Sequence, residues 1–230
     1  MTGSRLTDRL RATCATDWEA LHTHPFVRGL ADASLPLDAF RFYIEQNLQY
    51  LPEYARAMAL GVSRADDIDT MRIFSAELAN VLESEIPENR ALLRRTIEAG
   101  ASDAGGSVGM APATVAYTGF LVATAARGGP VEIMAAIVPC TWSYGEIGRR
   151  LREEVHDHPV YAGWVAFFGS DEYAEIVQAM RCDFERIAGD ANDEAHLARL
   201  FATAVELERG FWDMAYARAH WPDEETQPVR

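Results

Sequence analysis

From about residue 5 to residue 219, apolar side chains recur at spacings of three and four, and no stretch alternates apolar with polar. That period belongs to helices buried along one face. It predicts helices over roughly 5–22, 26–32, 37–63, 66–98, 112–127, 130–156, 159–168, 171–188 and 192–219. Punctuation agrees. Ser34 and Ser170 stand where helix-capping side chains are favoured, and Pro112 and Pro130 suit first-turn positions. The stretch around 99–112 reads as a surface loop, because the helices on either side carry parts of one pocket. The last residues, about 221–230, read as a disordered solvated tail. The expected fold is all-α, a single domain over residues 1–230.

Polar residues interrupt three of the apolar stripes. Leu197, Phe201, Ala204, Glu208, Phe211 and Ala215 share one helix face, so Glu208 points inward. A carboxyl group on a core-facing line is rare unless it is paired or its pKa has moved, and a carboxyl held near neutrality by burial suits general acid or base work. Ile133, Ile137, Cys140, Tyr144, Ile147 and Leu151 form a second stripe, which turns Cys140 and Tyr144 inward together. Phe40, Tyr43, Asn47, Tyr50 and Tyr54 form a third, with an amide among aromatic rings. Together the three helices predict a polar pocket with aromatic walls.

Each residue also has a plainer reading. Buried cysteine often serves as a small hydrophobe, and Cys14 and Cys182 read as packing residues. Cys140 differs because Pro139 inside its helix removes a backbone hydrogen bond, and Gly145 and Gly148 leave room for another backbone. Glu208 could instead sit in a buried ion pair with Arg149, Arg152 or Arg181. Asn47 could cap a backbone group, and Tyr50 and Tyr117 could be core residues with satisfied hydroxyls. Glu19 with His22 and Glu153 with His156 have the Glu-x-x-His spacing of di-metal bundles. Both pairs lie at helix ends, where a histidine meets the helix dipole favourably, so no metal site is expected.

The net charge of −14 disfavours nucleic-acid and anionic-membrane partners, which require a basic face. Three cysteines do not make a disulfide framework. Neither a signal-peptide pattern nor an apolar run of membrane-spanning length occurs, so a cytoplasmic location is expected.

The segments FRFYIEQNLQYL, AAIVPCTWSYGEIGRRL, YAGWVAFFGSDEY and ELERGFWDMAY together resemble the TenA/thiaminase II family of the haem-oxygenase-like all-α superfamily. The resemblance runs from about residue 20 to residue 219. It implies a haem-oxygenase-like helical bundle that hydrolyses 4-amino-5-substituted-methyl pyrimidines, releasing hydroxymethylpyrimidine from thiamine breakdown products or from thiamine. It assigns Cys140 as nucleophile and Glu208 as acid/base, with Tyr50, Tyr117, Tyr144 and Phe211 around the substrate. It implies no cofactor, a small-molecule aminopyrimidine partner and, by analogy, a homotetramer. Two positions depart from the family pattern. Asn47 stands where an Asp is usual, and can pair with a neutral aminopyrimidine edge. Phe168 stands where a Tyr is usual, which removes a pocket hydroxyl. Two rivals to a working hydrolase stand beside this reading: a pyrimidine-binding or regulatory protein that has lost turnover through Asn47 and Phe168, and a metal-dependent oxidase on the same fold that uses the Glu-x-x-His pairs.

Overall fold

The computed structural model describes residues 4–102, 109–154, 158–189 and 193–222. Most of the expected tail and the middle of the 99–112 loop lie outside these residues. The helices are α1 (Leu6–Thr13), α2 (Ala15–His22), α3 (Pro25–Ala31), α4 (Leu37–Arg64), α5 (Ile68–Asn80), α6 (Ile86–Glu98), α7 (Pro112–Arg127), α8 (Pro130–Leu151), α9 (Tyr161–Phe168), α10 (Asp171–Ala188) and α11 (Glu194–Ala217). No strand occurs among the described residues. Two helices anticipated as continuous are divided. The first breaks at Cys14, and the fourth carries a π-helical turn at Val81–Glu85 between α5 and α6. The segment expected to run to residue 156 leaves the helix after Leu151.

Local chemistry sets most helix starts. Ser170 Oγ accepts from the Tyr173 amide at 3.0 Å and opens α10. Pro112 and Pro130 occupy first-turn positions of α7 and α8, where a missing N–H costs nothing. Ser34 does not cap α4 as expected: that helix begins after Pro36, without a side-chain cap. His24 Nδ1 accepts from the Phe26 amide at 3.1 Å and caps α3. Its Nε2 therefore carries the proton that meets Asp213 at 3.1 Å.

Helix α11 lies at the centre, packed against α1, α2, α3, α4, α7 and α8, while α4 also meets α5, α6 and α7. The buried Gln46 side chain ties α4 to the start of α7. It donates to the Gly109 carbonyl at 3.0 Å and accepts from the Ala111 amide and the Thr114 hydroxyl at 2.9 and 2.6 Å. On the other side, α8 crosses the α9–α10 junction at Gly148. A Cβ there would stand 2.4 Å from the Gly169 amide nitrogen and from the Phe168 carbonyl carbon, so only glycine permits the approach. Cys14 is buried as expected, but Cys182 is exposed and packs no core.

Candidate active site

The three polar-interrupted stripes converge. Leu197, Phe201, Ala204, Glu208, Phe211 and Ala215 are all buried, with Glu208 only 2% exposed. Of these, Glu208 and Phe211 face a cavity of about 540 Å³, counting its open mouth. Helix α4 contributes Asn47, Tyr50 and Tyr54 to its lining; α7 contributes Tyr117; α8 contributes Cys140 and Tyr144; α9 contributes Phe168; and α11 contributes Glu208 and Phe211. Every residue expected around the substrate or in the reaction thus lines one space, and Tyr54 joins them.

The Tyr117 hydroxyl donates to Glu208 Oε1 at 2.6 Å, and the Cys140 thiol lies beside the same carboxyl group. Burial raises the Glu208 pKa, and these two neighbours hold it back. Burial also drives the Cys140 thiol well up, helped by the neighbouring Glu208 charge, while the Tyr50 hydroxyl opposes the shift. Burial thus disfavours the charged form of both neighbouring groups. That pair can exchange a proton when a bound ligand favours the thiolate.

None of the arginines considered as partners of Glu208 reaches it. Arg149 and Arg152 pair with Asp171, and Arg181 pairs with Asp8. The Glu-x-x-His spacing of Glu19 and His22 does not make a ligand pair either. Glu19 faces Arg150 at 2.9 Å, whereas His22 Nε2 stands 3.2 Å from Glu146. Burial by itself would raise Glu146, but the hydrogen bonds from His22 and Trp18 and the charge of Arg11 hold it down to about 2. His156 of the second spacing lies outside the described residues. Among the described residues, no group of three or more His, Cys, Asp or Glu side chains is arranged to hold a metal ion.

Asn47 is anchored. Asn89 Nδ2 donates to the Glu85 carbonyl at 2.9 Å, which leaves Asn89 Oδ1 to accept from Asn47 Nδ2 at 2.9 Å. Because a carbonyl only accepts, this chain fixes both amides. One N–H and the Oδ1 of Asn47 remain for a ligand. Tyr144 is placed by Tyr43, whose hydroxyl donates to it at 3.3 Å, and its ring stacks on Trp212. Phe168 meets Tyr144 edge-on at 4.9 Å and Tyr173 at 5.0 Å.

Several lining residues escaped the sequence reading: Leu51, Glu77, Glu85, Thr141 and Tyr173. A signal existed for the two glutamates. Phe74, Leu78, Val81 and Glu85 follow the 4-3-4 spacing, and Glu77 sits three residues after the buried Phe74. They stand in a charged run, ELANVLESEIPENR, among exposed acids such as Glu83 and Glu88.

The described residues form a helical bundle that holds a cysteine, carboxyl groups and tyrosines in one cavity. Residues 12–218 match the sequence profile of the TENA/THI-4/PQQC family. The chain belongs to that family. It is 38% identical over 209 residues to the aminopyrimidine aminohydrolase of Halalkalibacterium halodurans, covering 89% of this chain and 92% of that protein. It is 28% identical over 227 residues to the aminopyrimidine aminohydrolase of Bacillus subtilis, covering 98% and 95%. A TenA homologue from P. horikoshii has the same fold, with a TM-score of 0.84 at 30% identity over 93% of this chain and 99% of that one. A domain from Shewanella denitrificans described as having a heme oxygenase-like fold superposes with a TM-score of 0.71 at 15% identity, over 92% of each chain.

Proposed function

We propose that this chain is an aminopyrimidine aminohydrolase of the thiaminase II type. It converts a 5-aminomethyl-4-aminopyrimidine, or thiamine, to hydroxymethylpyrimidine, with Cys140 as nucleophile and Glu208 as acid/base. The observation that carries this reading is Cys140 beside Glu208, itself hydrogen-bonded by Tyr117, in a cavity with aromatic walls. The names of its relatives support the same reaction.

The ring lies among Tyr50, Tyr117, Tyr144, Phe168 and Phe211, with its amidine edge on Asn47. The Cys140 proton passes to Glu208, and the thiolate adds to the ring carbon beside the one bearing the methylene. The ring electrons then expel the 5-substituent with its bonding pair, so a protonated amine leaves as ammonia. Water adds to the resulting exocyclic methylene and gives its proton to the Glu208–Cys140 pair as the carbon–sulfur bond breaks. This is covalent catalysis with an acid/base partner, and every step uses residues of this chain. Asn47 makes the ring bind neutral, so proton activation falls to Glu208.

No described helix is long and apolar enough to cross a membrane. The working unit in this reading is a single domain over 1–230, assembled as a homotetramer in the cytoplasm. The deciding experiment is Cys140→Ser. Ammonia release from the aminomethylpyrimidine is expected to fall at least ~100-fold, a barrier increase of about 2.7 kcal/mol, with the thermal midpoint nearly unchanged. Near-normal turnover in that variant would rule out the covalent route.

A further inference from the structure

The mechanism above leaves two carboxyl groups in the cavity without a task. Glu77 and Glu85 line the same space as Cys140, at the side formed by α5, the π turn and α10. Each spends one oxygen on a neighbour. Tyr54 donates to Glu77 Oε1 at 2.9 Å, and Asn80 donates to Glu85 Oε1 at 3.0 Å. Neither makes an ion pair among the described residues. With Glu208 they put three carboxyl groups in the wall, against no Lys, Arg or His.

A second observation points to a ligand here. The Tyr50 hydroxyl lines this cavity on a residue only 4% exposed, and it meets no protein acceptor with hydrogen-bond geometry. A buried hydroxyl left open costs free energy until something fills the space beside it. The backbone supports the same conclusion. The π-helical turn ends on Glu85, and such turns recur at functional positions because they re-aim a side chain without ending the helix.

We propose that Glu77 and Glu85 form a subsite for a primary ammonium group, holding the cationic 5-aminomethyl substituent of the substrate. This deepens the reading of Cys140 and Glu208 as the reacting pair and rests on it. An ammonium has three N–H donors and no acceptor. Glu77 and Glu85 each retain a free carboxylate oxygen, and the open Tyr50 hydroxyl can accept as well. The rings of Tyr50, Tyr54 and Tyr173 around the site favour a cation further. Burial raises Glu77, and burial together with the Glu77 charge pushes Glu85 up to about 7. The arriving ammonium then drives these groups to the ionised form. A quaternary thiazolium carries charge but no N–H, so the subsite selects amines over intact thiamine. It also holds the leaving nitrogen protonated, the form in which it departs as ammonia.

The test compares two ligands that differ only at the 5-substituent. In Glu85→Gln, the KM for 5-aminomethyl-4-aminopyrimidine is expected to rise about tenfold. The dissociation constant of the neutral hydroxymethyl product, read by calorimetry, should stay within about twofold. Glu77→Gln should show the same split, and decides the matter if Glu85→Gln does not fold. The wild-type protein itself must bind the aminomethyl compound at least about tenfold more tightly than the hydroxymethyl compound at neutral pH. Parallel weakening of both ligands, or an unchanged KM, overturns the subsite while the hydrolase reading stands. A wild-type protein that binds neither pyrimidine removes that reading and the subsite together.

Discussion

Glu208 has two neighbours of different character, the Tyr117 hydroxyl that donates to it and the Cys140 thiol beside it. In the proposed reaction only the thiol matters directly, since transfer of its proton to Glu208 creates the nucleophile. Glu208→Gln preserves the shape and the bond from Tyr117 but cannot take a proton. Turnover is expected to fall by about 10²-fold or more, while calorimetric binding of the hydroxymethyl product persists. Unchanged turnover per folded molecule, together with a lower thermal midpoint, would reduce Glu208 to a structural residue. At this scale the sequence was most informative about the groups that break an apolar stripe. Cys140, Glu208 and Asn47 stood out because helical period puts them inward and their chemistry does not fit a core. It said nothing of their partners. Asn89 lies 42 positions from Asn47 along the chain, and no spacing rule connects residues on different helices.

Elements carry the next layer. Helix α8 brings Cys140, Thr141 and Tyr144 to the cavity, and its seat against the α9–α10 junction is set by Gly148. The tight approach there involves the backbone of Phe168 and Gly169, and Phe168 is itself part of the cavity wall. Gly148→Ala therefore forces two backbones apart, for which overpacking typically costs about 1–3 kcal/mol. The thermal midpoint is expected to drop by several degrees, with turnover falling as Phe168 moves. Wild-type values of both would mean that the junction yields without strain. Gly148 was legible as a small residue permitting close approach. The π turn was not, because a one-residue change of helical period leaves the pattern of a charged segment readable as ordinary helix.

For the whole molecule, the buried acids set how stability depends on pH. Glu85 is raised to about 7 and Glu77 and Glu208 are raised as well, so the folded state holds protons that the unfolded chain releases. Their stabilisation is complete below the unfolded carboxyl pKa and is lost as pH rises through their folded values. Glu146, held down to about 2, acts oppositely: its contribution is present above the unfolded pKa and is lost on acidification. One cooperative thermal transition is expected, with its midpoint highest near pH 5, about the unfolded carboxyl range, and declining towards pH 8. Glu85→Gln should flatten that decline, and a midpoint that instead rises steadily to pH 8 would contradict the upward shift of these buried groups. By itself the sequence determined that the chain is helical and which side chains face inward. Both follow from local period and the cost of exposing apolar surface, which any short segment reports. Only the tertiary structure decided which inward residues meet. It joined Tyr117 to Glu208, gave Asn47 to Asn89 and turned Glu77 and Glu85 into the cavity. Those outcomes depend on how helices distant in sequence cross, and that is set by packing across the whole core.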